Sequence, residues 1–541
     1  MTVPSADGGA SQPDLTPIPA LPPSVIERFG ARVLDPITAV PLTSGIAPRP
    51  TAYVGNTLLV RGLPGGRRDD ILDRVREVLK ELELEVDFDK NADEIAGVLG
   101  GQDGVAQEIL DEFWVTPVQV QAARSADTPT SDQPPVDVWP VLQRLREGGI
   151  GADVVGLEHL AVGCADIGGA PYWAGAPYWA GAPYWAGAPY WAGAPYWAGA
   201  GTSEYAIPGS GGRGPAGLSL PDPTQTSRGV KRSPVVVVPD TGLGPHPWFE
   251  DPAQATDEIE VNGVLLGLEG PMSTLAPAPI NPLDGSLAPY AGHGTFIAGL
   301  VRQQCPQARI LAVPIMRGDG VVGEGLLIRT LVALLIRHAV ATNSGNREDM
   351  IDVLCLSLGY YHEEPADAAI DPMLRSLLTA FGSWGVAVVT AAGNNSTVAP
   401  FHPAAFAAQV AGFHADVVPL VSVGALNPNG RAVAYFSNAG PWVSCHRLGA
   451  NVISTLPTDL NGDRQPSVRM TYHEVERATI DPDDFSGGFG TWSGTSFAAP
   501  VLAGELARHL ANDPAPSSIG RDEAVARGWA AVASELPGWT P

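Results

Sequence analysis

The stretch PVVVVPDTGLG, residues Pro234–Gly244, opens on four consecutive valines and ends in a turn. A strand that is apolar at every position has no face to offer water, so it belongs in a sheet covered on both sides, which is the parallel arrangement. Asp240 follows the valines at the carboxyl end of that strand, where open α/β sheets place their ligands. Working outward, Arg309–Val313, Val353–Ser357, Val386–Thr390 and Leu420–Val423 read as further apolar strands. Helical patterns at Thr295–Gln303, Gly325–Ala339 and Pro372–Phe381 separate them. Strands alternating with helices predict an α/β domain, placed at residues 233–512. Residues 513–541 follow as a tail with one helix at Asp522–Leu536.

Upstream the pattern changes. Residues 1–49 are rich in proline and small residues without periodicity, which predicts a disordered tail. From 50 to 163 the chain reads strand (Thr57–Val60), helix (Asp69–Leu82), strand (Leu84–Phe88), strand (Val115–Val120), helix (Val138–Arg146) and strand (Ala152–Leu160). That order predicts a small ferredoxin-like α+β domain, with extra helical signal at Asn91–Phe113 that the scheme leaves unused. Residues 164–232 read as a linker, and Ala170–Gly199 within it are five exact copies of APYWAG. Six residues holding a proline and a glycine are too few for a solenoid unit, so the repeats read as an expanded linker. An aromatic docking segment, or peptide units to be cut out, are the sharper alternatives.

Composition narrows the function. The chain has 541 residues, including 63 glycines and 52 prolines, more than one compact domain accommodates. A net charge of −26 repels phosphate backbones and anionic headgroups, so no nucleic-acid or membrane partner is expected. No run approaches the ~18 apolar residues of a membrane span. The first residues lack the basic start and apolar core of a secretory signal. Cys164, Cys305, Cys355 and Cys445 are too scattered for a disulfide framework or paired metal ligands, which with the missing signal leads to a cytoplasmic expectation.

Two further motifs join Asp240. In AGHGTFIAGLV, His293 stands between glycines that let backbone or substrate approach an imidazole suited to general-base work near neutral pH. In GTWSGTSFAAPVLAGELA, Ser496 opens a helix, where backbone N–H groups favour developing negative charge, and it is the candidate nucleophile. Each residue has a plain structural role open to it: turn aspartate, buried histidine, serine N-cap. Together, in the order Asp240, His293, Ser496, they match one of the known chain orders of a Ser-His-Asp triad.

Through PDTG, GHGT and GTSFAAP the segment of about Pro234–Leu510 resembles the subtilisin-like serine proteases, the subtilases. CPQARILAVPIM, VLCLSLG and AYFSNAG resemble further stretches of that family in the same order. The resemblance implies a subtilisin-like parallel sheet flanked by helices and an endopeptidase acting through an acyl-enzyme on polypeptide substrates. In it Asp240 would orient His293, His293 would serve Ser496 as base, and VAVVTAAGNNS would supply Asn394 to the oxyanion hole. Ser357, Leu358, Gly359, Ala392 and Gly393 would bind substrate. No cofactor is required, and calcium is left unassigned because the acidic stretch EDPAQATDEIE and an insertion at about Asp459–Gly490 depart from the family pattern, as does Pro239. The amino-terminal domain resembles a family propeptide, which implies an intramolecular inhibitor and a cut in the linker between about Ala200 and Ser233, with Lys231-Arg232 one candidate. The alternatives are a catalytically silent scaffold that binds partners through that domain and the repeats, and a maturation protease that docks or excises the APYWAG units.

Overall fold

The computed structural model describes residues 16–540 apart from 89, 102, 124–135, 165–201, 203–204, 206–210, 219–220, 227–228, 269–284, 365–371, 408–413 and 513–519. The APYWAG copies, and with them every reading of their role, lie outside the described residues.

Residues 23–33 form α1 (Pro23–Phe29) and β1 (Ala31–Val33), correcting the expectation of a structureless tail through residue 49. A seven-residue helix is too short to show periodicity; what marks it is Pro23 in the first turn and Gly30 closing it at φ 55°. β1 pairs antiparallel with β2 (Ala52–Arg61), and Val40 accepts a hydrogen bond from the Trp139 indole at 2.8 Å. The chain continues through α2 (Arg67–Glu81), β3 (Leu84–Phe88), α3 (Lys90–Gly100), α4 (Gly104–Phe113), β4 (Val115–Ala122), α5 (Val138–Glu147) and β5 (Val155–Gly163). The sheet order β5-β2-β4-β3, antiparallel throughout, is the ferredoxin-like arrangement. α3 and α4, inserted between β3 and β4, account for the unused helical signal.

β2 is apolar on both faces because both are covered. Leu58 and Val60 pack with Ile71, Leu72 and Val75 of α2 and with Leu142 and Leu145 of α5. Leu59 points the other way, into a cluster shared with α4 and the second domain.

That second domain begins at β6 (Gly214–Pro215) and β7 (Val235–Val237), followed by β8 (Ala255–Thr256), β9 (Glu260–Val261) and β10 (Val264–Leu265). Then come α6 (His293–Gln304), β11 (Arg309–Leu311), β12 (Val321–Gly323), α7 (Glu324–Ser344), β13 (Val353–Leu356), β14 (Leu358–Gly359), α8 (Pro372–Ser383) and β15 (Ala387–Ala391). β16 (Val421–Leu426), β17 (Cys445–Leu448), β18 (Val452–Thr455), an exposed hairpin β19 (Arg469–Tyr472) and β20 (Val475–Ala478), β21 (Phe489–Trp492), α9 (Thr495–Asn512) and α10 (Arg521–Glu535) complete it. Seven parallel strands lie in the order β17-β16-β15-β13-β7-β11-β8.

The four valines divide between two cores, as a doubly covered strand requires. Val236 and Val238 face α6, α9 and α10, whereas Val235 and Val237 face α7 and α8. α7 is long and apolar enough by composition to cross a bilayer, yet 78% of its most apolar window is buried in protein. The linker reading is corrected in part: Gly214–Pro215 pairs with β21, and Arg232 is buried on Asp352 at 2.8 Å.

Candidate active site

Asp240 is fixed first by backbone. Its N–H donates to Val313 O at 2.9 Å and its carbonyl accepts from Ile315 and Met316, which extends β7 past its neighbour β11. The carboxylate takes the Thr241 N–H at 2.7 Å and faces His293, with Nδ1 2.8 Å from Oδ1 and 3.0 Å from Oδ2. Both side chains are fully buried. His293 opens α6, and the helix end lies hard against the Asp240 turn: a Cβ on Gly294 would stand 2.4 Å from Gly242 O. Glycine is therefore required there, and Gly294 N–H donates to Thr241 Oγ1 at 2.9 Å. With Nδ1–H committed to the carboxylate, Nε2 carries the lone pair, and this buried atom has no hydrogen-bond partner. Phe497 and Trp492 hold the ring at centroid distances of 5.4 and 5.8 Å.

Ser496 lies in the first turn of α9 and is fully buried. Its hydroxyl donates to Ser357 O at 3.0 Å and not to His293. Asn394 follows β15. Its Oδ1 accepts from Thr495 N at 2.9 Å and Thr495 Oγ1 at 2.8 Å, which fixes the amide so that Nδ2 points away from α9's first residue. That Nδ2 donates at 2.5 Å to Cys164 O, and Ser496 N–H donates to the same oxygen at 3.2 Å. The adjacent Asn395 serves the turn, bonding Tyr361 and Asn438 at 2.9 Å each.

The carbonyl between these two donors comes from the amino-terminal domain. β5 leaves its own sheet and runs between two strands of the second domain: Leu160, Ala161 and Val162 pair with β12, and Val162 and Gly163 pair with β14. Gly163 N–H donates to Gly320 O at 2.9 Å, Tyr290 donates its phenol proton to Gly163 O, and Cys164 N–H donates to Ser357 O at 2.9 Å. The expected substrate-binding residues separate accordingly. Ser357, Leu358 and Gly359 meet the strand, while the polar backbone groups of Ala392 and Gly393 bond Val423, Thr495 and Asn438.

Chain is thus presented to Ser496 at Cys164, upstream of the Ala200–Ser233 window expected for a cut. Arg232 is spent on Asp352, Met350 O and Arg347 O, so of the dibasic pair only Lys231 is exposed. The strand expected to end at Leu160 continues to Gly163, and the signal for it is the uncharged, largely apolar run LAVGC that follows His159. Gly320, Tyr290 and β12 had no local signature at all. Burial pushes the Cys164 thiol well above its ordinary range. One more residue of β5 reaches across: Glu158 accepts the Gly325 N–H at 3.0 Å in the first turn of α7, and desolvation raises its carboxyl above the usual range.

A model of the subtilase family matches residues 232–526. Serine protease AprX of Bacillus subtilis (strain 168) is 27% identical over 320 residues, 54% of this chain and 59% of that protein. The major intracellular serine protease of the same organism is 26% identical over 238 residues, 41% of this chain and 56% of its own length. The chain therefore spans less than two thirds of either relative. Among solved structures, fervidolysin from Fervidobacterium pennivorans overlays with a TM-score of 0.40 at 16% identity, covering 85% of this chain and 55% of that one.

Proposed function

The chain belongs to the subtilase family, and from that premise we propose that it is a serine endopeptidase whose first substrate is its own peptide bond after Cys164. His293 Nε2 takes the Ser496 proton once the hydroxyl turns from Ser357 O, and Oγ attacks the carbonyl carbon of Cys164. The oxygen gains negative charge between Asn394 Nδ2 and Ser496 N–H, which already bracket it. Asp240 holds the imidazole tautomer and balances the charged ring. The proton then passes to the amine of Ala165, which leaves, and water admitted in its place hydrolyses the ester. The cut leaves β5 in the cleft as product, so the amino-terminal domain acts as an intramolecular inhibitor until it departs. Other polypeptides enter as extended strands along β12 and β14.

The single observation that carries this reading is the Cys164 carbonyl held by both oxyanion donors. The test follows intact mass and amino-terminal sequence over time in wild type and Ser496→Ala, each with and without a fluorophosphonate probe. Wild type gives a fragment beginning at Ala165 and then labels; Ser496→Ala does neither. A wild-type chain that stays whole and unlabelled, or that begins anew within 200–233, overturns the proposal.

A further inference from the structure

Away from the triad, the described residues contain a compact group of metal-ligating side chains: His159, His362 and Glu363, all buried, with donor atoms within 4.8 Å of one another. The group spans the domain boundary. His159 lies on β5, while His362 and Glu363 follow β14 in the second domain. His159 Nδ1 is 2.5 Å from Glu324 Oε2 at the start of α7, and Nε2 is 2.7 Å from Glu363 Oε2. Tyr360 stacks on the His159 ring at 4.7 Å and donates to Glu324 Oε1 at 3.3 Å. His362 Nδ1 holds that ring's lone pair, which accepts the Glu364 N–H at 3.1 Å, and lies 3.5 Å from Glu363 Oε2, so an ion bound there would take the place of that N–H.

Two features ask for an ion. First, two buried carboxylates flank one imidazole, and the nearby Arg146 guanidinium is spent on the carbonyls of Ile150 and Val155. Second, the buried His402 ring lies 6.2 Å from that of His362, and its Nδ1 has no hydrogen-bond partner. A histidine that turns one nitrogen to a metal characteristically gives the other to a carboxylate, the part Glu324 plays toward His159. Two imidazoles and a carboxylate suit zinc, whose bonds of about 2.0–2.2 Å set donors roughly 3.4 Å apart, within reach of small side-chain rotations. Calcium needs about six to eight oxygens, and this donor set does not supply them.

We propose that His159, His362 and Glu363 form a binding site for a zinc-class divalent cation that clamps the amino-terminal domain onto the second domain. His159 stands on β5, which ends at Gly163 immediately before Cys164, so the ion holds the segment that fills the cleft. The inference goes beyond the peptidase reading and does not depend on it, because binding is measured in a chain that does not react.

The experiment titrates metal-free, full-length Ser496→Ala with zinc against a chromophoric chelator, with elemental analysis for stoichiometry. One zinc per chain is expected, undisturbed by excess calcium, with visible d–d bands of a four-coordinate ion when cobalt replaces zinc. His362→Ala on that background loses the site. Glu324→Gln, which removes no ligand, weakens it about 10–100-fold. Absence of stoichiometric uptake, or uptake unchanged in a His362→Ala chain whose circular dichroism matches the parent, overturns the proposal. If His362→Ala does not fold, Glu324→Gln decides, and unchanged affinity there overturns it equally.

Discussion

The Thr495 donors on Asn394 Oδ1 do more for the site than hold a loop, because they fix the amide with Nδ2 turned to the Cys164 carbonyl. Asn394→Ala removes one of the two proposed oxyanion donors, and the corresponding loss in subtilisin costs about 10²–10³ in turnover. The same fall is expected in the rate of the cut after Cys164, with little change in peptide KM; equal rates would remove Asn394 from the chemistry. Gly163 supplies a second residue-scale test. A Cβ there would stand 2.6 Å from Tyr290 Cε1. Overpacking of this kind costs about 1–3 kcal/mol, so Gly163→Val is expected to slow the cut roughly 10–100-fold, read as accumulation of the Ala165 fragment. The triad candidates were legible because their constraints are local: glycines beside His293, a turn after the valines, a helix start at Ser496. Cys164 was not, because what singles it out is pairing with β12 and β14, far away in sequence.

At the scale of elements, α7 shows how one helix serves both domains. Its first turn takes the Glu158 carboxylate from β5, and its middle carries His338, whose Nδ1 accepts the Ile351 N–H at 2.9 Å and whose Nε2–H donates to Trp384 O at 3.0 Å. Burial lowers the His338 pKa. The unfolded imidazole, near 6.5, therefore binds a proton that the folded one refuses, and stability falls as pH drops below about 6.5. Above that value both forms are neutral and the contribution is flat. Each unit of depression is worth about 1.4 kcal/mol. His338→Gln, which keeps a donor and an acceptor, is expected to flatten that part of the slope when urea unfolding of Ser496→Ala is compared between pH 5 and 7. An unchanged slope would show that other groups set it. The inner strands β7, β11, β13, β15 and β16 were readable because both their faces are covered, and α6, α7 and α8 because each exceeds ten residues. The arm of residues 16–49 was not, since α1 is held by Pro23, Gly30 and a 2.6 Å ion pair between Arg28 and Asp319 that no local pattern announces.

Across the whole molecule, β5 is the edge strand of the ferredoxin-like sheet and its end lies between β12 and β14 of the other domain, so cutting after Cys164 severs the chain without severing the pairing. Residues 1–164 and 165–541 are accordingly expected to co-elute on size-exclusion chromatography directly after the cut and to part only over the longer time in which the probe begins to label Ser496; immediate separation would mean the interface depends on the covalent link. The ferredoxin-like order was legible in the sequence, but the sharing of its last strand was not, because the 160–164 backbone carries the contact and side-chain type says little about it. That geometry has a consequence for any later guest. Once β5 is gone, the gap it leaves is lined by two rows of unpaired amides and carbonyls, and it admits a chain only where both of that chain's own edges are bare. No strand or helix of a folded neighbour meets that condition. Resistance to attack is then set by how rarely a stretch of the victim opens, a free energy belonging to the victim and measurable by its hydrogen exchange.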